Sequence, residues 1–316
     1  MPPVLRSSGD LLADRRFAYA QGAYDAGDHA AAAELALQVL ELVPGFAPAH
    51  ALLGRARAAL GERDAAVAAL QAALAAEPDD ALGVRLDLAR LGALPPEAAI
   101  APSYVRALFD DYAPRFDKHL IRNLSYRGPE LIAAAVRRAC SSGGRPFRFR
   151  RALDLGCGTG LAARAFEGRF ETIEGVDLSP GMLAKARKTH LYERLHEGDL
   201  VDFLATCEEA SADLVVAADV FVYLASLEEA FRAARRVLSR DGLFAFSVQA
   251  HDGEGFVLGE DARYSHGEPY LRALAAQTGF AVALLEPAST RQDRGEDVPG
   301  LVAVLGTARP VRAGSP

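Results

Sequence analysis

The sequence has few cysteines. Its 316 residues include three, Cys140, Cys157 and Cys207, which lie far apart and form no CxxC pair. An odd number of cysteines at such distances predicts neither a disulfide framework nor a zinc site, and it favours a reducing, cytoplasmic environment.

Long apolar segments are also lacking. No stretch of about 18 uninterrupted apolar residues occurs, which is what a membrane-spanning helix needs. The first thirty residues do not combine a basic start with an apolar run and a small-residue cleavage site. We therefore expect no signal peptide, no membrane span and no membrane partner.

The chain has no excess of positive charge. Lysine and arginine number 35 against 42 acidic residues, which gives a net charge of −7. We expect no nucleic-acid partner, because nonspecific binding to a phosphate backbone needs a basic face. The arginines at 145, 148, 150 and 151 lie close together, either as a solvated linker, which we favour, or as a local basic patch.

Half of the residues are hydrophobic, so the chain can bury a sizeable core, and its length favours two domains.

Several well-known catalytic motifs are missing. The sequence contains no GxxxxGK[ST], no HExxH and no GxSxG. His196 and Glu197 lack a second histidine at position 200. We therefore predict no metal site and no chemistry of these three classes.

Residues from about 15 to 92 are rich in alanine and leucine and repeat at an offset of 34. At that offset Gly27-Asp28-His29-Ala30 aligns with Gly61-Glu62-Arg63-Asp64, and Pro44 aligns with Pro78. A helix–turn–helix unit of 34 residues is the period of tetratricopeptide repeats, which this segment resembles. The resemblance implies two repeats, the first degenerate, and a capping helix over residues 81–92.

The hydrophobic period changes after a connector that begins at Leu94-Pro95-Pro96. Helices are predicted over residues 102–122 and 129–140. Short apolar runs then alternate with amphipathic stretches, at residues 152–155, 172–177, 195–197, 214–218, 243–249, 280–286 and 301–306. This alternation predicts an α/β fold with a largely parallel sheet covered on both faces. The last two runs flank a polar turn containing Asp293, Arg294, Gly295 and Glu296, so we expect them to pair antiparallel.

The first predicted strand leads into Leu153-Asp154-Leu155-Gly156-Cys157-Gly158-Thr159-Gly160. Glycines let the backbone turn tightly and approach a ligand without a Cβ clash. A dinucleotide fingerprint would need glycine at position 161, which is leucine here. GxGxG with an acid two residues ahead is the S-adenosylmethionine (SAM) loop of class I methyltransferases, which the chain resembles over about residues 104–309. The resemblance implies that the cofactor is bound by Asp154, Gly156, Cys157, Gly158 and Gly160.

Two later acids extend the predicted cofactor site. Asp177 ends the second strand, 21 residues after Gly156, and an acid there can accept hydrogen bonds from both ribose hydroxyls; Leu178 follows it. In the family an acid at Asp199 binds the adenine amino group, and Leu200 would pack on the ring. The alternative for Asp199 is a cap on the next helix.

Other residues are expected around the methionine part of SAM and the methyl acceptor. Asp219 ends the fourth strand, where residues line the ligand crevice of such sheets. Tyr223 faces either the substrate or the core. The stretch from Phe109 to Asp117 resembles the leader helix of small-molecule methyltransferases, whose aromatic residue lies over SAM. It implies Tyr112 as the first choice for this lid contact and Phe116 as the second, with plain packing as the alternative.

The connection after the fifth strand contains Arg263-Tyr264-Ser265-His266, ahead of a helix that begins near Glu268. His266 is the candidate general base, and in an extended loop Tyr264 would point the same way. Alternatively, His266 caps the following helix or contacts solvent. A phenol or carboxylate acceptor needs no base and can react by proximity and orientation alone.

As a whole the chain resembles bacterial methyltransferases that carry tetratricopeptide repeats. The resemblance implies a repeat domain over residues 1–95, a connector with leader helices over 96–145 and a methyltransferase domain over 146–316. The last is expected to be a doubly wound seven-stranded sheet in the order 3-2-1-4-5-7-6. The expected activity is methyl transfer from SAM to an oxygen or nitrogen of a small molecule, which releases S-adenosylhomocysteine. Alternatives are methylation of a protein or peptide held by the repeats, and a SAM-binding interaction protein without turnover.

Overall fold

The computed structural model describes three stretches of the chain, residues 7–116, 126–293 and 295–307. The chain divides into two compact units, Met1–Asp111 and Tyr112–Pro316. The boundary lies inside the segment predicted as a connector. Asp117 of the predicted leader helix and Arg294 of the predicted polar turn lie outside the described residues.

The first unit consists of helices that pack in chain order. They are α1 (Leu11–Asp25), α2 (His29–Leu42), α3 (Ala47–Ala59), α4 (Arg63–Ala76) and α5 (Val84–Arg90). Each helix contacts the next one along the chain. Helices α1 to α4 form the two predicted repeats and α5 is the predicted cap, so the tetratricopeptide arrangement is confirmed.

Local chemistry explains the helix starts and the close packing in this unit. Asp10 and Asp28 accept hydrogen bonds from backbone N–H groups in the first turns of α1 and α2, which otherwise lack partners. A Cβ on Gly54 of α3 would lie 2.5 Å from Cγ of Leu70 in α4. Gly54 therefore permits the close approach of the two helices in the second repeat.

Helix α6 (Pro102–Tyr112) is shorter than the helix predicted over residues 102–122. A 3-10 turn, Ala113–Arg115, follows it. Pro114 has no N–H to donate and its ring crowds the preceding turn, which explains why the regular α-helix ends before it. Residues 117–122 of the prediction lie outside the described chain.

The second unit is built on one mixed sheet, whose main strands lie in the order β3-β2-β1-β4-β5-β11-β8. They are β1 (Phe149–Leu155), β2 (Phe170–Asp177), β3 (Arg194–Glu197), β4 (Ala212–Ala217), β5 (Leu238–His251), β8 (Phe280–Pro287) and β11 (Gly300–Thr307). Strands β1 to β5 pair in parallel, whereas β11 is antiparallel to both β5 and β8. The predicted seven-strand order and the antiparallel last strand are confirmed.

Two short strands extend the carboxyl end of β5, where the prediction had a long loop. They are β6 (Phe256–Leu258) and β7 (Tyr264–Gly267). β7 pairs in parallel with β5, with Gln249 opposite Ser265, and antiparallel with β6. All four residues of β7 are buried, so the segment lacks the apolar–polar alternation that identifies a strand in a sequence. A separate two-stranded hairpin, β9 (Gln292–Asp293) with β10 (Glu296–Asp297), lies in the polar turn.

Helices cover both faces of the sheet. They are α7 (Gly128–Ser142), α8 (Leu161–Ala165), α9 (Pro180–Ala186), α10 (Leu200–Thr206), α11 (Glu228–Val237) and α12 (Glu268–Gln277). One core cluster joins Phe244 of β5 to Phe231 of α11, and another joins its neighbour Ala245 to Ile132 of α7. Adjacent residues of a strand point to opposite faces, so the two clusters lie on opposite sides of the sheet, as in doubly wound folds.

The three cysteines are free thiols and all are buried. Within the described ranges, no group of His, Cys, Asp or Glu side chains is arranged to hold a metal ion. Among the helices that the structure describes, none is both long enough and apolar enough to span a bilayer.

Candidate functional site

The loop after β1 turns through three glycines in left-handed backbone conformations. Their φ angles are +61° at Gly156, +53° at Gly158 and +92° at Gly160. A Cβ on Gly156 would lie 2.5 Å from Cγ2 of Val220, so packing requires this glycine. Among the residues that the structure describes, a Cβ on Gly158 would meet no atom within 4 Å. Gly158 therefore borders open space in which a ligand can approach the backbone closely.

The carboxylate of Asp177 connects this loop to the end of β2. Its Oδ2 accepts a hydrogen bond of 2.8 Å from the Gly158 N–H, and its Oδ1 accepts one of 2.8 Å from the Ser179 N–H. One carboxylate oxygen can accept more than one hydrogen bond, so holding the loop is compatible with binding ribose hydroxyls. The structure thus brings Asp177 and the glycine loop together, and ribose binding stays a prediction.

Asp154 lies beneath the loop and is 1% exposed. Its Oδ2 accepts a hydrogen bond of 2.6 Å from the Tyr192 hydroxyl. Burial raises the pKa of Asp154 to about 7, the bond from Tyr192 opposes this shift, and the charge of Asp177 adds to it. A carboxyl group with such a pKa changes its protonation readily when a cation approaches. We therefore expect the carboxyl group of Asp154 to lose its proton when a cationic ligand binds at the glycine loop.

Cys157 takes part in the loop through its backbone. Its N–H donates to the carbonyl oxygen of Val176 at 2.9 Å, and its side chain is buried. Burial raises the pKa of the Cys157 thiol well above its usual value, and the nearby Asp154 and Asp177 raise it further. The thiol therefore stays protonated and does not act as a nucleophile.

The predicted adenine end contains a helix cap. Oδ1 of Asp199 accepts hydrogen bonds from the N–H groups of Val201 at 2.7 Å and Asp202 at 3.3 Å. The capping alternative is thus present, and it uses one of the two carboxylate oxygens. Leu200 is 8% exposed and belongs to the core, whereas Leu178 is half-buried beside the end of β2. The adenine contacts of these side chains stay predictions.

Asp219 directly follows the sheet at β4 and has an unusual backbone, with φ of +56°. Left-handed conformations of residues other than glycine are uncommon and often occur at functional sites. The Asp219 N–H donates to Ser247 Oγ at 2.9 Å, and the Ser247 hydroxyl donates back to Oδ1 at 2.8 Å. The Thr290 hydroxyl donates to Oδ2 at 3.1 Å. Two separate segments thus fix this carboxylate at the carboxyl ends of the strands.

Four side chains lie close enough to Asp219 or to each other to influence ionisation. They are Tyr112, Tyr126, Tyr223 and Arg263. Burial raises the pKa of Tyr126, and Asp219 raises it further. Burial raises the pKa of Asp219, whereas its two hydroxyl partners and Arg263 lower it. Burial lowers the pKa of Arg263, whereas the nearby Tyr223, Asp261 and Asp219 raise it. We call this set, with Asp219, the acceptor cluster.

The two predicted lid residues pack against each other. The rings of Tyr112 and Phe116 are 5.2 Å apart and nearly perpendicular. Burial raises the pKa of Tyr112 while Arg263 lowers it, which is why Tyr112 belongs to the acceptor cluster. The packing alternative is therefore present, and a lid contact to SAM stays a prediction for both rings.

His266 and Tyr264 were predicted to face the methyl acceptor, but the structure buries both side chains. His266 has no exposed area, and its Nε2 donates to the carbonyl oxygens of Leu224 and Ala225 at 3.1 Å each. Burial lowers its pKa to about 4, although the two carbonyl bonds oppose this shift. Tyr264 is 1% exposed, and its ring packs edge-on against Phe256. Because β7 joins the sheet instead of passing over it as a loop, the imidazole is enclosed and cannot reach an acceptor.

Three residues near the site were not predicted: Tyr126, Tyr192 and Arg263. The tyrosines lie in segments without a recognisable motif, so their positions depend on tertiary packing. Arg263 lies in the stretch that we considered for His266, and its guanidinium is the group that reaches the acceptor cluster. A basic residue in the connection after the fifth strand is the signal that could have identified it.

Family comparisons agree with both units. Residues 153–246 match a family model described as a methyltransferase domain. Residues 23–91 match a model described as a tetratricopeptide repeat. The first match contains the glycine loop, Asp177, Asp199 and Asp219.

Relatives of known name resemble the second unit. The malonyl-[acyl-carrier protein] O-methyltransferase of Geobacter sulfurreducens is 35% identical over 147 residues, which are 42% of this chain and 54% of the relative. The trans-aconitate 2-methyltransferase of Rhizobium etli is 31% identical over 147 residues, 46% of this chain and 56% of the relative. The chain thus spans about half the length of these curated relatives.

A solved structure with a similar fold is the 1,6-didemethyltoxoflavin-N1-methyltransferase of Burkholderia thailandensis, which contains 1,6-didemethyltoxoflavin and S-adenosylhomocysteine. The TM-score is 0.51 at 19% identity, and the alignment covers 66% of this chain and 91% of that chain. At this identity the likeness supports the fold of the second unit.

Proposed function

We propose that this chain, which carries a SAM-dependent methyltransferase domain and a tetratricopeptide repeat domain, transfers the methyl group of SAM to an oxygen or nitrogen of a small molecule. The observation that carries the proposal is the open space at Gly158, whose N–H is bonded to Asp177 on the neighbouring strand. The sulfonium of bound SAM makes its methyl group electrophilic. The protein's part is to bind and align the two substrates.

Residues at the carboxyl ends of different strands would bind different parts of the two substrates. The backbone at Gly158 admits the donor, and Asp177 is placed to accept hydrogen bonds from ribose hydroxyls. Asp199 and Leu200 would hold the adenine. Asp219 follows β4, the strand next to β1, and would be the member of the acceptor cluster nearest to the donor.

Oxygen is the favoured acceptor atom. The names of the two sequence relatives given above describe acceptors that contain carboxyl groups, and one name specifies O-methylation. His266 is enclosed and does not supply a base. An acceptor whose attacking atom is already deprotonated suits such a site, because alignment alone is then sufficient.

Binding and turnover can be tested with the full chain. Isothermal titration calorimetry should show SAM and S-adenosylhomocysteine binding to the folded protein. Incubation with methyl-labelled SAM and a size-fractionated cell extract should transfer label to low-mass material. Absence of binding heat with both ligands, on protein with an intact melting transition, would contradict the proposal.

The repeat match supports a second candidate, methylation of a protein or peptide partner. Tetratricopeptide repeats present surfaces for protein contacts, and residues 23–91 match this family. The same labelling experiment separates the candidates, because label would then appear in the high-mass fraction.

We expect Asp177→Ala to weaken SAM binding by about 1.5–3 kcal/mol, the usual value of hydrogen bonds to a charged group. Loss of the bond to the Gly158 N–H adds to the effect by loosening the loop. Titration calorimetry measures the affinity. Asp213→Ala is the matched control, because its carboxylate also accepts a backbone N–H, from Arg150 at 2.9 Å, outside the site. Equal SAM affinity in the two variants would show that Asp177 is only structural.

We also expect SAM binding to release about half a proton at pH 7. Asp154 has a pKa of about 7 before binding, and a cationic ligand nearby favours its ionised form. SAM affinity should therefore rise with pH through about 7. Calorimetry at pH 7 in buffers of different ionisation enthalpy measures the proton release. The release should vanish in Asp154→Asn, and if it persists there, another group is responsible.

A further inference from the structure

We infer that the methyl acceptor is an organic acid and that Arg263 binds its carboxylate in the acceptor cluster. The inference rests on the proposed function, since it concerns the second substrate of the same reaction. It identifies a specificity-determining residue that the family comparisons do not assign, because Arg263 lies beyond the matched residues 153–246.

The position of Arg263 directs its side chain to the ligand side of the sheet. It immediately precedes β7, which pairs with the carboxyl end of β5. Its charge lowers the pKa of Asp219, which follows β4, and Nη1 of Arg263 lies 4.0 Å from Oδ2 of Asp261. In doubly wound sheets, ligands bind outside the carboxyl ends of the strands. Arg263 therefore lies beside the expected position of the acceptor.

A second arginine, Arg291, has hydrogen-bond partners that compensate its charge. Arg291 is 8% exposed, and its Nη2 donates to Gln249 Oε1 at 3.1 Å and to Asp261 Oδ2 at 3.3 Å. Nη1 of Arg263 is 4.0 Å from the same oxygen of Asp261, which is beyond hydrogen-bond distance. Among the described residues, no carboxylate other than that of Asp261 lies within 4.0 Å of Arg263. Asp261 therefore interacts with both arginines, and its carboxylate is closer to Arg291 than to Arg263.

Arg263 is therefore a poorly compensated cation in a restricted space. Its side chain is 29% exposed, and a guanidinium has five N–H donors. A partly desolvated charge whose nearest described carboxylate is 4.0 Å away is costly unless a ligand compensates it. A planar carboxylate matches the guanidinium fork and can accept two parallel hydrogen bonds.

The charges of the cluster favour a carboxylate over a phosphate. Arg263 and Arg291 contribute two positive charges, which face Asp261 and the partly buried Asp219. The two acids formally balance the two arginines, and the sulfonium of bound SAM adds one positive charge. A single negative charge on the acceptor compensates this sum, whereas a doubly charged phosphate would leave excess negative charge beside Asp219. The ligand chemistry that fits is a monoanionic acid group.

Transfer to a carboxylate balances without a base. One carboxylate oxygen forms a bond to the methyl carbon as the sulfur–carbon bond breaks, and the electron pair stays on sulfur in S-adenosylhomocysteine. No proton moves, so the product is a neutral methyl ester. A carboxylate has about four lone-pair sites, so it can bind Arg263 and still direct one lone pair at the methyl group. The enclosed state of His266 is consistent with this route.

The test uses the full chain, methyl-labelled SAM and two sources of acceptor: the low-mass fraction of a cell extract, and malonate, succinate and trans-aconitate, each paired with its amide. Alkali converts methyl esters to volatile labelled methanol, whereas N-methyl groups and aryl ethers are stable. We expect alkali-labile label from at least one source and none from the amides. Label that is only alkali-stable, or no label although SAM binds, overturns the inference. Failure to bind SAM overturns the proposed function.

Variants of Arg263 assign the role to this residue. Arg263→Gln should lower ester formation at limiting acid roughly 100-fold, while the Kd for SAM changes less than about twofold. Arg272→Gln is the matched control, since it removes an exposed arginine that pairs with Glu268 on the same helix, and it should behave like the wild type. If Arg263→Gln does not fold, Arg263→Lys keeps the charge and should raise the KM for the acid about tenfold with little change in kcat. Wild-type ester formation in Arg263→Gln, or an unchanged KM in Arg263→Lys, overturns the inference.

Discussion

Gly158→Leu should lose SAM affinity by at least about 10³-fold while the protein remains folded. A side chain at this position enters the open space beside the loop, which we assign to the donor, and overlap with a ligand cannot be relieved by small shifts in a loop fixed by Asp177. The left-handed backbone, with φ of +53°, adds a strain of about 1–2 kcal/mol. Titration calorimetry measures the affinity, and a thermal melt confirms that the variant folds.

Gly168→Leu separates strain from obstruction. Gly168 also has a left-handed backbone, with φ of +73°, and a Cβ there would also meet no atom of the described chain within 4 Å. It lies just before β2, at the end of the sheet opposite to the site. This control should melt at a similar temperature to Gly158→Leu and bind SAM like the wild type. If Gly158→Leu also binds SAM normally, the open space beside Gly158 is not the donor site.

His266→Ala should destabilise the protein by about 3–5 kcal/mol. The imidazole fills a buried position and donates to the carbonyl oxygens of Leu224 and Ala225. Its removal leaves both a cavity and unsatisfied polar groups. Urea unfolding measures the loss. At low temperature, the folded fraction should keep its turnover, because His266 does not touch the substrates.

His50→Ala is the control for this variant. Nε2 of His50 also bonds to a carbonyl oxygen, that of Pro44 at 2.8 Å, but at an exposed position. Its loss should cost less than about 1 kcal/mol, because water replaces the bond. Stability of His266→Ala equal to that of His50→Ala would contradict the enclosed hydrogen-bonded role.

The pH dependence of stability provides a second measurement of His266. Its pKa is about 4 in the folded protein and has an ordinary value of 6.5, so between these pH values the unfolded chain binds a proton that the folded protein does not. His266 therefore stabilises the fold above pH 6.5, and this contribution is lost as pH falls toward 4. From pH 7 to 5 the loss is about 2 kcal/mol. Asp154 acts in the opposite direction, since its raised pKa favours the folded state at low pH. The difference between wild type and His266→Gln isolates the histidine.

Much of the fold could be predicted from the sequence because the signals were local and periodic. The 34-residue offset predicted two helix pairs and a cap, and the alternation of apolar runs with amphipathic helices predicted the parallel strands. The absence of a helix between the last two runs predicted that β8 and β11 are antiparallel. These features depend on hydrophobic patterning, which a single sequence contains in full.

The acceptor side could not be predicted in the same way. Strand β7 is buried throughout, and its sequence, Tyr-Ser-His-Gly, has no apolar alternation. Only its pairing with β5 determines that His266 is enclosed. Arg263 reaches the acceptor cluster because it immediately precedes this strand, and Tyr126 because of tertiary packing. Interactions between segments far apart in the chain leave no periodic signal, whereas the glycine loop and Asp177 form a motif of nearly fixed spacing.

The placement of β11 has a consequence for biosynthesis. Proteins are made from the amino end and begin to fold during synthesis, yet β11 (Gly300–Thr307) lies between β5 and β8, both of which precede it in the chain. Until the ribosome has released residue 307, β5 keeps an open edge on the side that β11 will cover. Unpaired strand edges are where nascent chains associate with one another. The second unit therefore completes its sheet late in synthesis, and a chain truncated before residue 300 would expose the edge of β5 permanently.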